Sequence, residues 1–279
     1  MSVSLLLSEP HLQGHLRAQG RVLARFANGH RGTRIADLYE TGGFRLKFPF
    51  QDADTAEAIL VNTGGGMTGG DTLNVEIHLE ANTKALVTTQ SAEKICRSSG
   101  ATAQLSTRIA LNEGSNFAWV PQETILFSGA RVARELNVEL PETATFLAAE
   151  SVVFGRSASG EILGAGYFSD VWRIRRGGRL VFAENTRLEG EISAFLARNA
   201  IANGARAMGL VVFVCPDAEE RLEPAREVLS RDAATCALSA WNGMLVARLL
   251  ALDAQNLRAS LGRLIAYLRG APMPRVWQC

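Results

Sequence analysis

The sequence predicts a large all-β body followed by a helix-containing C-terminal part, packed together in a single domain spanning 1-279. Three observations carry this expectation. Hydrophobicity alternates with period two from about Gly20 to Glu184, clusters of turn-forming residues punctuate that stretch, and past Glu189 the apolar spacing becomes helical. The β body is therefore expected over about 20-190 and the helical part over about 191-279. No linker rich in Pro, Gly or Ser separates them.

Leu73, Val75, Ile77 and Leu79 alternate with polar residues, as do Ala103, Leu105, Thr107, Ile109 and Leu111. Leu136, Val138 and Leu140 repeat the pattern, and so do Phe168, Asp170, Trp172 and Ile174 with one polar break. Half-buried antiparallel strands are the expected source. Turns are expected at Glu80-Ala81-Asn82, Asn112-Glu113-Gly114, Ser157-Ala158-Ser159-Gly160 and, as a two-residue hairpin, Gly177-Gly178. Ile192, Phe195, Leu196 and Ala200 then fall at helical spacing, with Gly204 placed to end that helix. Met208–Cys215 reads as a buried strand, and Asp217 with Glu220 as a capping box opening a helix through Leu229. Strands at Thr235–Ala240 and Met244–Leu250 follow. A last helix starts at Asp253 with Leu257, Leu261, Leu264, Ile265 and Leu268 on one stripe. Pro272 and Pro274 predict an extended tail.

Composition narrows the function. The chain has 279 residues, 29 basic and 28 acidic side chains, and a net charge of +1. That balance excludes the broad electrostatic footprint of a general nucleic-acid binder. No histidine follows His78, there is no H-E-x-x-H, and Cys96, Cys215, Cys236 and Cys279 form no C-x-x-C. A serine-histidine triad would have to draw its base from His11, His15, His30 or His78, and a zinc site lacks its usual spacing. Four scattered cysteines, a leader-free opening and no apolar run near the ~20 residues of a membrane span predict a soluble cytoplasmic protein.

Thr63–Asp71 is the sharpest local feature. It contains G-x-G-x-x-G at Gly64, Gly66 and Gly69, but a strand follows it rather than the helix on which a dinucleotide pyrophosphate rests. A glycine-rich crossover, where backbone passes close to backbone, is the expected reading. Asp71, Glu93, Glu123, Glu150, Glu161, Asp170 and Glu184 lie near strand ends, where a facing pair of carboxylates could do glycosidase chemistry. Lys94 and Arg97 beside Glu93 offer ordinary ion pairing instead. His11 and His15 stand at helical chelate spacing, interrupted by Gly14.

Taken in order, several strings resemble the urease accessory protein family UreD/UreH. They are Gly65-Gly66-Met67-Thr68-Gly69-Gly70-Asp71-Thr72-Leu73, Thr89-Gln90-Ser91-Ala92-Glu93-Lys94-Ile95-Cys96-Arg97-Ser98 and Trp119-Val120-Pro121-Gln122-Glu123-Thr124-Ile125-Leu126-Phe127. Glu150 with Val153-Phe154-Gly155-Arg156, then Gly160-Glu161, Trp172–Arg176 and Pro274-Arg275-Val276-Trp277 complete the series. The resemblance implies a mainly β, β-helix-like two-layer antiparallel/mixed body with two to three helices in the C-terminal part. It implies a non-enzymatic scaffold or chaperone that binds apo-urease and recruits partners of the UreF and UreG (GTPase) families for nickel insertion into the metallocentre. It further implies an internal passage lined partly by acids, carried here onto Asp71, Glu93, Glu150 and Glu184. No tightly bound metal and no cofactor are implied, with nickel in transient transit. Cys96 and Ser128 depart from the family's usual aromatic and aspartate. The alternatives are a carboxylate-based glycoside hydrolase-like enzyme and a β-sandwich binding module.

Overall fold

The computed structural model describes residues 17–49, 54–156, 160–161 and 163–278. His11, His15, Cys279 and most of the turn expected at Ser157–Gly160 lie outside them. Strands β1 (Gln19–Gly29), β2 (Gly32–Thr41), β3 (Phe44–Lys47), β4 (Ala56–Asn62), β5 (Thr72–Leu79), β6 (Lys84–Thr89) and β7 (Glu93–Ile95) come first. Next are β8 (Ala103–Leu111), β9 (Asn116–Trp119), β10 (Thr124–Leu126), β11 (Arg131–Leu140), β12 (Thr145–Phe154), β13 (Ala165–Arg176) and β14 (Arg179–Glu191). The C-terminal part holds α1 (Ile192–Leu196), β15 (Ala207–Val214), α2 (Leu222–Leu229), β16 (Thr235–Trp241), β17 (Met244–Ala251) and α3 (Ala254–Arg269).

Two sheets face each other. One runs β14-β13-β11-β8-β5-β1-β2; the other runs β16-β17-β15-β12-β9-β6-β4-β3, with β7 and β10 paired beside β12. From β4 to β13 the chain passes back and forth between the sheets, so each strand's neighbour belongs to an adjacent turn of a coil. Those neighbours are parallel: β5 with β8, β8 with β11, β11 with β13, and β4-β6-β9-β12 opposite. The expectation of antiparallel strands fails here. Alternation reports that one face is buried and the other wet; it is silent on the direction of the neighbour. Antiparallel pairing appears toward the ends of the sheets, in β1-β2, β13-β14, β3-β4 and β12-β15-β17-β16.

Two apolar cores result. The first fills the space between the sheets, with Phe117, Phe146, Phe168 and Trp172 fully or almost fully buried. The second lies between the outer face of the larger sheet and the helices, where Leu257, Leu261, Leu264, Ile265 and Leu268 pack on Leu147, Val211 and Phe213. Strands β12 and β15 serve both cores, which is why they read as nearly continuous apolar runs.

Local chemistry sets the ends of these elements. The Asp253 carboxylate accepts from the Asn256 amide at 2.8 Å and starts α3, and Gly270 ends it in the left-handed conformation (φ 63°). Gly177 and Gly178 both have positive φ, as the β13–β14 hairpin requires. Three expectations need correction. Asp217 caps nothing: Arg221 takes its carboxylate at 2.9 Å, and α2 starts later at Leu222 with no side-chain cap. The first helix stops at Leu196, and the Gly204 amide returns to the Leu196 carbonyl at 3.0 Å around an intervening loop. The tail closes in a 3₁₀ turn over Arg275–Trp277, where the Trp277 amide reaches the Pro274 carbonyl at 2.9 Å.

Candidate functional site

Inward positions on β11 are Val132, Arg134, Leu136 and Val138, so the alternation places one arginine among apolar neighbours. On β13 the same rule turns Phe168, Asp170 and Trp172 inward, and Asp170 is the register partner of Arg134. From the opposite sheet β12 points Glu150 at them. The Arg134 guanidinium lies 2.5 Å from Asp170 and 3.1 Å from Glu150, and donates to Thr124 Oγ1 at 3.0 Å. The Trp119 indole N–H donates to Glu150 Oε1 at 2.8 Å, and the Phe168 ring lies 5.3 Å from the guanidinium carbon.

These groups border an interior cavity of about 60 Å³ between the sheets, which Glu93 also lines. One guanidinium there meets two carboxylates, Asp170 and Glu150, and Glu93 lines the same cavity without touching it. Burial pushes the Glu150 carboxyl above its ordinary value; the Arg134 charge opposes that rise and Asp170 adds to it. Burial works against the charged Arg134, yet Asp170 and Glu150 outweigh it and hold its pKa above the usual range. Glu93 is lifted to about 7, chiefly by burial, although the Asn62 side-chain amide reaches both its oxygens at 2.9 and 3.1 Å. Its side-chain hydrogen-bond partner is Asn62; of the two cations that sequence proximity suggested, Lys94 adds a backbone hydrogen bond and its charge.

A second hollow, of about 90 Å³, is lined by Asn62, Gly65, Gly66 and the stretch Gln90–Lys94, and it shares Leu60, Thr89 and Glu93 with the interior cavity. Glu93 thus forms part of both linings. The glycine string is stitched against this strand: the Met67 amide donates to the Lys94 carbonyl at 2.8 Å and the Cys96 amide to the Met67 carbonyl at 2.7 Å. A Cβ on Gly69 would lie 2.0 Å from Ser98 Oγ and 2.1 Å from the Ala101 carbonyl, so backbone does pass close to backbone there. Gly70 ends the same string, against Arg17.

The closing string reaches the same wall. Gln122 follows Pro121, and its side-chain Nε2 donates to the carbonyls of Thr89, Gln90 and Val276 at 2.9–3.3 Å. Arg258 donates to Gln122 Oε1 at 2.8 Å and to the Trp277 carbonyl at 2.9 Å, lies 4.8 Å from the Trp277 ring, and pairs with Glu123 at 3.0 Å. The Trp277 indole N–H donates to the buried Thr88 hydroxyl at 2.9 Å. Arg275 begins the 3₁₀ turn that sets this tryptophan.

Of the four acids named from the resemblance, Glu93 and Glu150 meet at the cavity. Asp71 and Glu184 do not line it. The Asp71 carboxylate accepts from the backbone amides of Thr68 and Ala18 at 2.7 and 2.9 Å, holding the glycine string to the segment that leads into β1. Glu184 pairs with Arg248, linking β14 to β17. Arg97 contributes its carbonyl to the Thr68 hydroxyl at 2.9 Å. Arg156, next to Gly155, pairs with Glu161 at 2.8 Å and lies 4.5 Å from the Phe127 ring. Sequence reasoning missed Arg134 and Asn62, and named Asp170 only among the acids near strand ends, outside the four carried from the resemblance. The signals were present: Asp170 is the one polar break in its strand, and the β11 alternation extended backwards lands on Arg134.

Among the described residues no group of three or more His, Cys, Asp or Glu side chains is arranged to hold a metal ion, and no helix is long and apolar enough to cross a membrane. The family profile for the UreD urease accessory protein matches residues 18–278. A "Urease accessory protein UreD 1" from Methylobacterium radiotolerans is 47% identical over 267 residues, covering 94% of this chain and 92% of the relative. The "Urease accessory protein UreD" of Azorhizobium caulinodans is 42% identical over 94% of this chain and 96% of its own length, and that of Methylobacterium sp. strain 4-46 is 43% identical over 94% and 95%. With a profile match across nearly the whole chain and relatives this similar, the chain belongs to the UreD urease accessory protein family.

Proposed function

We propose that this protein serves urease maturation as a non-enzymatic scaffold in the cytoplasm. It binds apo-urease, joins accessory partners of the UreF and UreG (GTPase) families, and passes nickel through the cavity between its sheets. The observation that carries this reading is the cavity: Glu93, Glu150 and Asp170 line it, and one guanidinium pairs with the last two between the sheets. Carboxylate and water oxygens hold a hydrated divalent ion loosely, whereas imidazole and thiolate sets bind nickel more firmly. The names of the relatives support the role in urease maturation. The hollow bounded by Gly65, Gly66 and Lys94 serves as the mouth of the passage, with Glu93 at the threshold.

Glu150→Gln tests this. It removes one interior charge and keeps the shape. Co-produced with apo-urease, the variant should co-purify with it as the unaltered protein does, yet leave urease under-metallated, with activity and nickel content down at least fivefold. Full metallation by Glu150→Gln would overturn the passage. Reproducible turnover by the isolated protein, abolished by one carboxylate substitution, would overturn the scaffold role.

A further inference from the structure

The interior carboxylates differ in how many of their oxygens are already taken. Glu150 accepts from Trp119 through Oε1 and faces Arg134 through Oε2. Both oxygens of Glu93 receive the Asn62 amide. Asp170 Oδ2 receives Arg134, but its Oδ1 finds no donor among the described residues, and neither does Arg134 Nε find an acceptor. The Arg134 side chain is 8% exposed and that of Asp170 13%. A buried polar atom left without a partner is costly and calls for water or an ion beside it. A cavity of about 60 Å³ has room for a few waters.

We propose that Arg134 is a resident counter-cation that keeps Glu150 and Asp170 from closing on a divalent ion, and that Asp170 Oδ1 is the carboxylate oxygen left open to the ion inside the cavity. This rests on the passage reading and says how the passage avoids becoming a trap. An ion entering the cavity finds one free carboxylate oxygen and takes its remaining ligands from water. To bridge Asp170 and Glu150 it must displace a guanidinium that holds both. Like charge and occupied oxygens together cap the affinity, and the ion leaves as readily as it arrives. Nickel favours several ligands in fixed geometry, so withholding the second carboxylate is what separates transit from storage.

The test is titration of the full-length protein with Ni²⁺ alone at pH 7.5. Arg134→Met removes the counter-cation and leaves both carboxylates in place, whereas Arg134→Met combined with Glu150→Gln also takes away the second carboxylate. Arg134→Met should bind Ni²⁺ at least tenfold more tightly than the unaltered protein, and adding either Glu150→Gln or Asp170→Asn should abolish the gain. Equal affinity of Arg134→Met and the unaltered protein, or a gain that survives Glu150→Gln, would overturn the role of Arg134. Should Arg134→Met fail to accumulate, Asp170→Asn alone decides: it must weaken Ni²⁺ binding at least fivefold, and unchanged binding overturns the proposal. Glu150→Gln in the urease assay keeps the two readings apart. If that variant delivers nickel normally, the passage fails; if it does not, while Arg134→Met shows no gain, only the counter-cation fails.

Discussion

The two faces of β12 solve opposite problems. Its inward face carries Phe146, Ala148, Glu150, Val152 and Phe154, and its outward face carries Leu147, Ala149, Ser151 and Val153 under α3. Only the inward face bears a charge. The facing sheet supplies Arg134 at 3.1 Å from Glu150, whereas the α3 stripe above the other face is uncharged, aliphatic but for Ser260. A strand can carry an acid into a core only where the opposite layer answers it, since an unanswered buried charge costs several kcal/mol. The outer core is thus a pure packing problem, and the inner core is a packing problem with an electrostatic site set into it.

That contrast is open to measurement. Leu261→Ala empties part of the outer core beside Gly209 and should cost ~2–5 kcal/mol, read from the urea midpoint, with no change in Ni²⁺ binding. A change in nickel affinity would mean that the two faces are not separable. The inner core should instead respond to pH. Glu93 titrates near 7 when folded and near 4.5 in its ordinary state, so the folded form binds the extra proton between those values. Stability from this group is fully present below pH ~4.5, declines as pH rises toward ~7, and is flat above it, a loss of about 3 kcal/mol. Glu93→Gln should remove that slope in urea titrations from pH 4.5 to 8, and a persistent slope would assign it elsewhere.

Asp71 sharpens the comparison from outside both cores. Asp71→Ala strands the amides of Ala18 and Thr68 and should cost about 1–3 kcal/mol for each one left without an acceptor. Folded yield should fall together with urease binding; a well-folded variant defective only in metallation would move Asp71 to the passage. Trp277→Phe, which keeps the ring and loses the bond to Thr88, should cost about 1 kcal/mol in thermal or urea unfolding. A larger loss would make the tail a principal support of the cavity wall.

What the sequence displayed follows from the range over which each signal acts. Alternation and helical stripes are local, so α3, the Gly177-Gly178 hairpin and most strands were legible. Strand direction was not, because Leu136 alternates in the same way whether Thr107 approaches it from a parallel or an antiparallel neighbour. The site suffered more. Arg134 meets Glu150 and Asp170 only through the coil, and Asp71 finds the Ala18 amide 53 residues away. Proximity in sequence pointed Glu93 to Lys94 and Arg97; Lys94 does act on it, but the side chain that takes its oxygens is Asn62, one turn of the coil earlier.

The reversal of direction toward the sheet ends has a consequence for how many copies of this chain can join. Every turn of a parallel coil presents the same ladder of unpaired amides and carbonyls to the next, so an uncapped stack invites another molecule to continue it. Here the smaller sheet is closed by the antiparallel strands β2 and β14, which carry Arg34, Asp37 and Glu40 at one edge and Glu184, Arg187 and Glu189 at the other. The larger sheet ends on the four-residue β3 at one side and on β16, antiparallel to β17, at the other. An incoming strand meets charge, reversed polarity or too short a ladder. The coil is a potentially endless filament held at finite length by its outermost strands.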